Sequence, residues 1–93
     1  MVTVAALYHF ARVSDPEAIV PDLRAFATAH DVRGILLLAH EGINGTIAGS
    51  RAGIDAVVNY IKGLPGFSDL EWKESTATEM PFGRLKVRLK REI

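Results

Sequence analysis

The sequence predicts an α+β domain of two layers, with two helices packed on one face of a five-stranded sheet. Three observations carry this expectation. Apolar residues recur at helical spacing in two segments, and as alternating or continuous short runs in five others. The two helical segments are separated by a strand pair, giving the order β-α-β-β-α-β-β. A chain of 93 residues has room for one domain, 1–93, and not for two.

The first strand, Thr3–Ala11, carries Val4, Leu7, Tyr8 and Phe10 and is apolar on both faces, which suits a central position. Tyr8 and Phe10 fall on the same face. That face could stack on nucleobases, but burial in the core is the expectation, because a chain this small needs its aromatic area. Ser14-Asp15-Pro16-Glu17 opens the first helix, with Ser14 as the cap, Pro16 in the first turn and Glu17 reaching back. Ile19, Leu23, Phe26 and Ala27 supply its apolar stripe. Pro21 either kinks this helix or marks its start, and it ends by His30-Asp31.

Ile35–Ala39 is a continuous apolar run and reads as a buried strand. Glu41-Gly42-Ile43-Asn44-Gly45 then reads as the turn of a hairpin, because Asn-Gly favours positive φ, and Thr46-Ile47-Ala48 returns as the partner strand. Ser50 caps the second helix, Ile54, Val57, Val58 and Ile61 form its stripe, and Gly63, Pro65 and Gly66 close it. Leu70 and Trp72 alternate with Glu71 and Lys73 as a fourth strand, followed by a polar connection, Ser75 to Glu79. Leu85, Val87 and Leu89 alternate with Arg84, Lys86, Arg88 and Lys90 in the cleanest period of two in the chain. The order matches a ferredoxin-like antiparallel sheet, in the acylphosphatase-like variant that adds a final strand.

Composition narrows the chemistry. Hydrophobic residues make up 48% of the chain, too many for intrinsic disorder. The absence of cysteine excludes disulfides, thiolate-bound zinc and a thiol nucleophile within these residues. Ile35–Ala39 is far short of the ~20 apolar residues that cross a bilayer. Met1-Val2-Thr3-Val4 lacks the basic lead and cleavage site of a signal peptide, so no membrane association and a cytoplasmic location are expected. Equal numbers of basic and acidic side chains conceal an asymmetry: residues 1–79 hold six basic against ten acidic, whereas residues 80–93 hold five basic against Glu92 alone. A basic strand of that kind suits a polyanion.

The candidate RNA-contacting residues are therefore Arg84, Lys86, Arg88 and Lys90, spaced ~6.6–7 Å apart along one face of a strand, an interval close to that of phosphates in RNA. The competing explanation is a charged edge that discourages aggregation. Glu41, Gly42, Asn44, Gly45 and Thr46 form a second candidate site, a turn where backbone can approach a ligand, although hairpin geometry alone also explains Asn-Gly. His9, His30 and His40 match no metal-ligand spacing, and no metal site is expected. The start of the second helix, Gly49-Ser50-Arg51, offers only the weak anion affinity of any helix N-terminus.

Two stretches resemble a known family. Gly34-Ile35-Leu36-Leu37-Leu38-Ala39-His40-Glu41-Gly42-Ile43-Asn44-Gly45-Thr46-Ile47-Ala48-Gly49, and Met80-Pro81-Phe82-Gly83-Arg84-Leu85-Lys86-Val87-Arg88 with Lys90-Arg91-Glu92-Ile93, are similar to the N-terminal domain of the rhodanese-related tRNA uridine hydroxylases. The resemblance covers this whole chain and about the first third of a typical member. It implies an oxygen-dependent 5-hydroxylation of the wobble uridine of bacterial tRNA, with molecular oxygen as co-substrate and no cofactor in this domain. It also implies a rhodanese-like domain beyond residue 93 that carries the catalytic cysteine, so no catalytic residue is expected here. The implied partners are tRNA and that second domain, and the implied role is to bind and orient tRNA. Two alternatives remain open: a domain that only packs on the rhodanese-like half, and an acylphosphatase-like hydrolase using Arg12 and Asn44.

Overall fold

In a computed structural model describing all residues 1–93, the chain runs β1 (Val2–Phe10), α1 (Pro16–Ala29), β2 (Arg33–Ala39), β3 (Gly42–Gly49), α2 (Arg51–Lys62), β4 (Trp72–Ala77) and β5 (Leu85–Leu89). The expected order holds. The strands form one sheet in the order β4-β1-β3-β2-β5, so β1 is internal, as its two apolar faces require. The sheet is mixed rather than wholly antiparallel, because β5 lies parallel to β2 while every other pair is antiparallel. The chain between β4 and β5 returns to the end of the sheet where β2 begins, and that route dictates the parallel pairing.

Alternation along the strands sorts the sheet into two faces. Ala5 and Leu7 of β1, Leu36 and Leu38 of β2, Ile43 and Ile47 of β3, and Val87 of β5 form the helix-facing core with Leu23 and Ala27 of α1 and Ile54, Val57, Val58 and Ile61 of α2. Phe67 and Leu70 close the core beyond α2. The stripe expected for α2 is buried in full. In α1 the buried line is Pro16, Val20, Leu23 and Ala27, with Ile19 and Phe26 at its margin, and Phe26 stacks on Tyr60 of α2 at 4.5 Å.

The cap of α1 is Asp15, not Ser14: its carboxylate accepts from the Ala18 amide at 3.3 Å. Pro16 explains the shift, since a residue without an N–H settles at the first helical position and makes its predecessor the cap. The helix runs without interruption through Pro21. Pro21 and Glu17 are both exposed, so water can satisfy the Glu17 carbonyl that loses its donor. Ser50 caps α2 as expected, accepting from the Gly53 amide at 3.0 Å.

Two expectations about the strands are corrected. Gly42–Gly45 is not a turn: it is the first half of β3, and the hairpin turns through His40 and Glu41 alone. Gly42 and Gly45 do have positive φ, at 145° and 156°, but they spend it inside the sheet. A Cβ on Gly45 would lie 2.0 Å from the Ile35 carbonyl oxygen, and one on Gly42 2.0 Å from that of His9. The fourth strand is Trp72–Ala77, so Ser75–Ala77 belongs to it rather than to the polar connection. As an edge strand with little to bury, it shows almost no apolar period.

Candidate nucleic-acid interface

The register of the sheet places a charge pattern on the face without helices. Matched rows across it are Lys73–Ala6–Thr46–Ile35–Lys86 and Tyr8–Asn44–Leu37–Arg88, and Val4–Ala48–Arg33 forms a third. The strand residues on this face therefore include Arg33, Lys73, Lys86 and Arg88 and no carboxylate.

The basic strand is the sheet edge next to β2. Its pairing continues one residue beyond each end, because the Gly34 amide donates to the Arg84 carbonyl and the Lys90 amide to the Leu38 carbonyl. Arg84, Lys86, Arg88 and Lys90 thus keep a strand's alternation, and the structure brings them together along one edge. Leu85 and Val87, between them, anchor that edge in the core.

Sequence reasoning missed Arg24. From α1 its guanidinium donates to the Val87 carbonyl, across the outer edge of β5. Arg24, Arg84, Lys86 and Arg88 line a shallow groove of about 260 Å³ whose other walls are Leu85 and Val87. Both ion pairs of the molecule belong to Arg51, so no carboxylate neutralises these four cations. No local pattern could have found Arg24, since its contact spans 63 residues of sequence.

The second candidate set is dispersed. Glu41 sits in the hairpin turn and accepts from the Ile93 amide at 2.7 Å. Gly42 and Gly45 serve the close approach of strands, whereas Asn44 and Thr46 stand on the open face. Asn44 and Thr46 share a depression of about 490 Å³ with Tyr8, Lys73 and Glu71. Tyr8 and Phe10 are not in the core: they are 56% and 61% exposed, because both helices lie on the opposite face. Their rings meet edge to face at 5.0 Å.

The loop after β1 offers no anion cradle. The amides of Ala11 and Val13 donate to the Glu41 and His40 carbonyls, and Arg12 and Asn44 line different depressions. The three histidines are apart and each is engaged by a backbone carbonyl: His9 with Gly66, His30 with Phe26, and His40 with Val13.

The strongest electrostatic cluster serves structure. Arg51, at the start of α2, grips Glu74 of β4 through two hydrogen bonds of 2.7 and 2.8 Å and also reaches Asp55. The Trp72 indole donates to the same Glu74 carboxylate. These bonds hold Glu74 down to about 2, chiefly through Arg51 and then Trp72, and they raise Arg51 above its ordinary value, chiefly through Glu74.

Comparison with known proteins gives a consistent result. Residues 2–93 match the family described as the UPF0176 acylphosphatase like domain. The tRNA uridine(34) hydroxylase of Jannaschia sp. (strain CCS1) is 70% identical over 93 residues, all of this chain and 31% of the relative. That of Roseobacter denitrificans is 56% identical over the same span, again 31% of its length. This chain thus spans about a third of the curated relatives it matches. An acylphosphatase from Coxiella burnetii superposes with a TM-score of 0.63 at 15% identity, covering 94% of this chain and 90% of the other, which is a likeness of fold.

Proposed function

The chain belongs to the UPF0176 acylphosphatase-like domain family, and from that premise we propose that it is the tRNA-orienting N-terminal domain of a cytoplasmic tRNA uridine(34) hydroxylase. The observation that carries this reading is the unneutralised row of Arg84, Lys86, Arg88 and Lys90, joined by Arg24 at the sheet edge. Such a row contacts phosphates, which fix register and orientation without reading sequence. Oxygen-dependent chemistry on the uridine belongs to a rhodanese-like domain outside these residues, with molecular oxygen as co-substrate and its own cysteine as the catalytic group. The contribution of the present domain is to hold the tRNA so that one nucleotide reaches that centre.

The test is tRNA binding by this chain across a salt series, compared with Lys86→Glu/Arg88→Glu/Lys90→Glu. Each lost phosphate contact removes roughly 0.7–0.9 from the slope of log affinity against log salt. The triple variant is expected to bind weakly, with the slope reduced by about 2–3. An unchanged affinity and slope would remove the basic edge from RNA contact and overturn the reading.

A further inference from the structure

The basic edge accounts for phosphates and leaves the centre of the open face unused. Tyr8 stands there at 56% exposure, against the edge-to-face ring of Phe10. This contact fixes the two rings relative to one another, so Tyr8 loses little freedom when something stacks on it. Asn44 lies directly across from Tyr8 in the register and presents both a donor and an acceptor. The depression they share also takes in Thr46 and Lys73.

Distance and charge identify the occupant. Tyr8 and Arg88 share a row, separated by β3 and β2. Three strand spacings put them about 14 Å apart, a span of roughly two nucleotides at the phosphate interval used above. On the β4 side Lys73 pairs with Ala6, one open-face position from Tyr8, and Glu71 is the one acid that lines the same depression; Lys86 and Arg88 stand on β5, beyond β3 and β2. An aromatic platform with a cationic edge three strands away matches an unpaired strand, whose base stacks on the platform while its phosphates lie along the edge.

We infer that Tyr8 and Asn44 form a nucleobase subsite, in which one unstacked base of single-stranded RNA lies on the Tyr8 ring and its edge hydrogen-bonds to Asn44. The inference rests on the RNA-orienting reading and deepens it. The edge strand sets the position of the backbone, and the subsite holds a splayed-out base of the same strand. Phe10 is the positioning residue of the pair.

The experiment uses this chain and two probes of equal length, heptauridylate and an abasic ribose-phosphate heptamer. The wild type is expected to prefer heptauridylate by roughly tenfold, the size of one base–aromatic stack. Tyr8→Ala abolishes the preference while the salt slope stays unchanged. Tyr8→Phe retains it, and Asn44→Ala lowers heptauridylate affinity severalfold without affecting the abasic probe. Arg88→Glu weakens both probes and keeps their ratio. Equal wild-type affinity for the two probes would overturn the subsite, as would Tyr8→Ala variants that keep the preference; a face built to dock a protein domain gives that second result. In either case a salt-dependent loss in Arg88→Glu leaves the orienting reading standing. Salt-independent binding, or none, would overturn both.

Discussion

Gly45→Ala tests whether glycine at this position is what lets β3 pack closely against β2. The added Cβ would sit 2.0 Å from the Ile35 carbonyl oxygen and 2.9 Å from both the Ile35 carbonyl carbon and the Leu36 Cα. All three are backbone atoms of β2, so no side chain can rotate away. To restore ordinary contact, β2 would have to move by more than an ångström. It cannot do so freely, because Leu36 and Leu38 are fully buried on one side of it and β5 is hydrogen-bonded along its edge. Holding alanine at a φ of 156° adds strain of about 1–3 kcal/mol. Overpacking against a fixed strand adds about 1–3 kcal/mol more. A combined loss near 4 kcal/mol is a large part of the 5–15 kcal/mol typical of a domain, and corresponds to a fall in Tm of about 15–30 °C at this size. Calorimetric or denaturant unfolding of this chain measures it, with Asn44→Ala as the neighbouring control. That substitution lies on the open face and is expected to cost under about 1 kcal/mol. Equal stability of the two variants would refute the close-approach argument.

The caps of α1 make a sharper local test: Asp15→Ala is expected to cost about 1 kcal/mol, whereas Ser14→Ala stays within ~0.5 kcal/mol of the parent, both read from denaturant midpoints. The Glu74 cluster predicts a pH dependence with a definite sign. Its folded carboxyl titrates near about 2 against an ordinary 4.5, so the stability it contributes is complete above pH 4.5 and is lost as pH falls through about 2. Glu74→Gln should flatten that part of the acid limb, and added salt should shrink the difference between the two proteins because the Arg51 pair is exposed; parallel acid limbs at low salt would show that the pair contributes nothing.

What the sequence made legible was local. The Ser50 cap, the α2 stripe and the alternation of the last strand each lie within a few residues of their cause. The first two appear as read, whereas in the last strand Val87 is buried, Leu85 half-buried and Leu89, at the strand's end, exposed. The failures share a different physical origin. Asn-Gly has the same backbone freedom whether it turns a hairpin or admits a neighbouring carbonyl inside a sheet, and only the position of Ile35 chooses between them. Ser75–Ala77 carries no apolar period because an edge strand with exposed residues has none to carry. Periodicity put Tyr8 and Phe10 on one face correctly but could not say which face the helices would cover. Arg24 became visible only when α1 was laid beside β5.

The same topology explains how a chain of zero net charge presents a cationic face. Glu17 and Asp22 lie on α1 and Asp55 on α2, in the helix layer, whereas Arg33, Lys73, Lys86 and Arg88 project from the other side of the sheet. Packed layers are separated by about 10 Å, close to the Debye length of 8–10 Å at physiological salt. A phosphate at the open face therefore meets the cations at contact distance and the helix-layer acids only through a screened field. Arg51 strengthens the separation, since it is the one cation at the start of a helix and it is bound to Asp55 and Glu74, two acids of the helix-covered side. The strand residues on the face without helices carry unpaired cations and no carboxylate. The proposed RNA contact rests on the location of the charge and not on its sum.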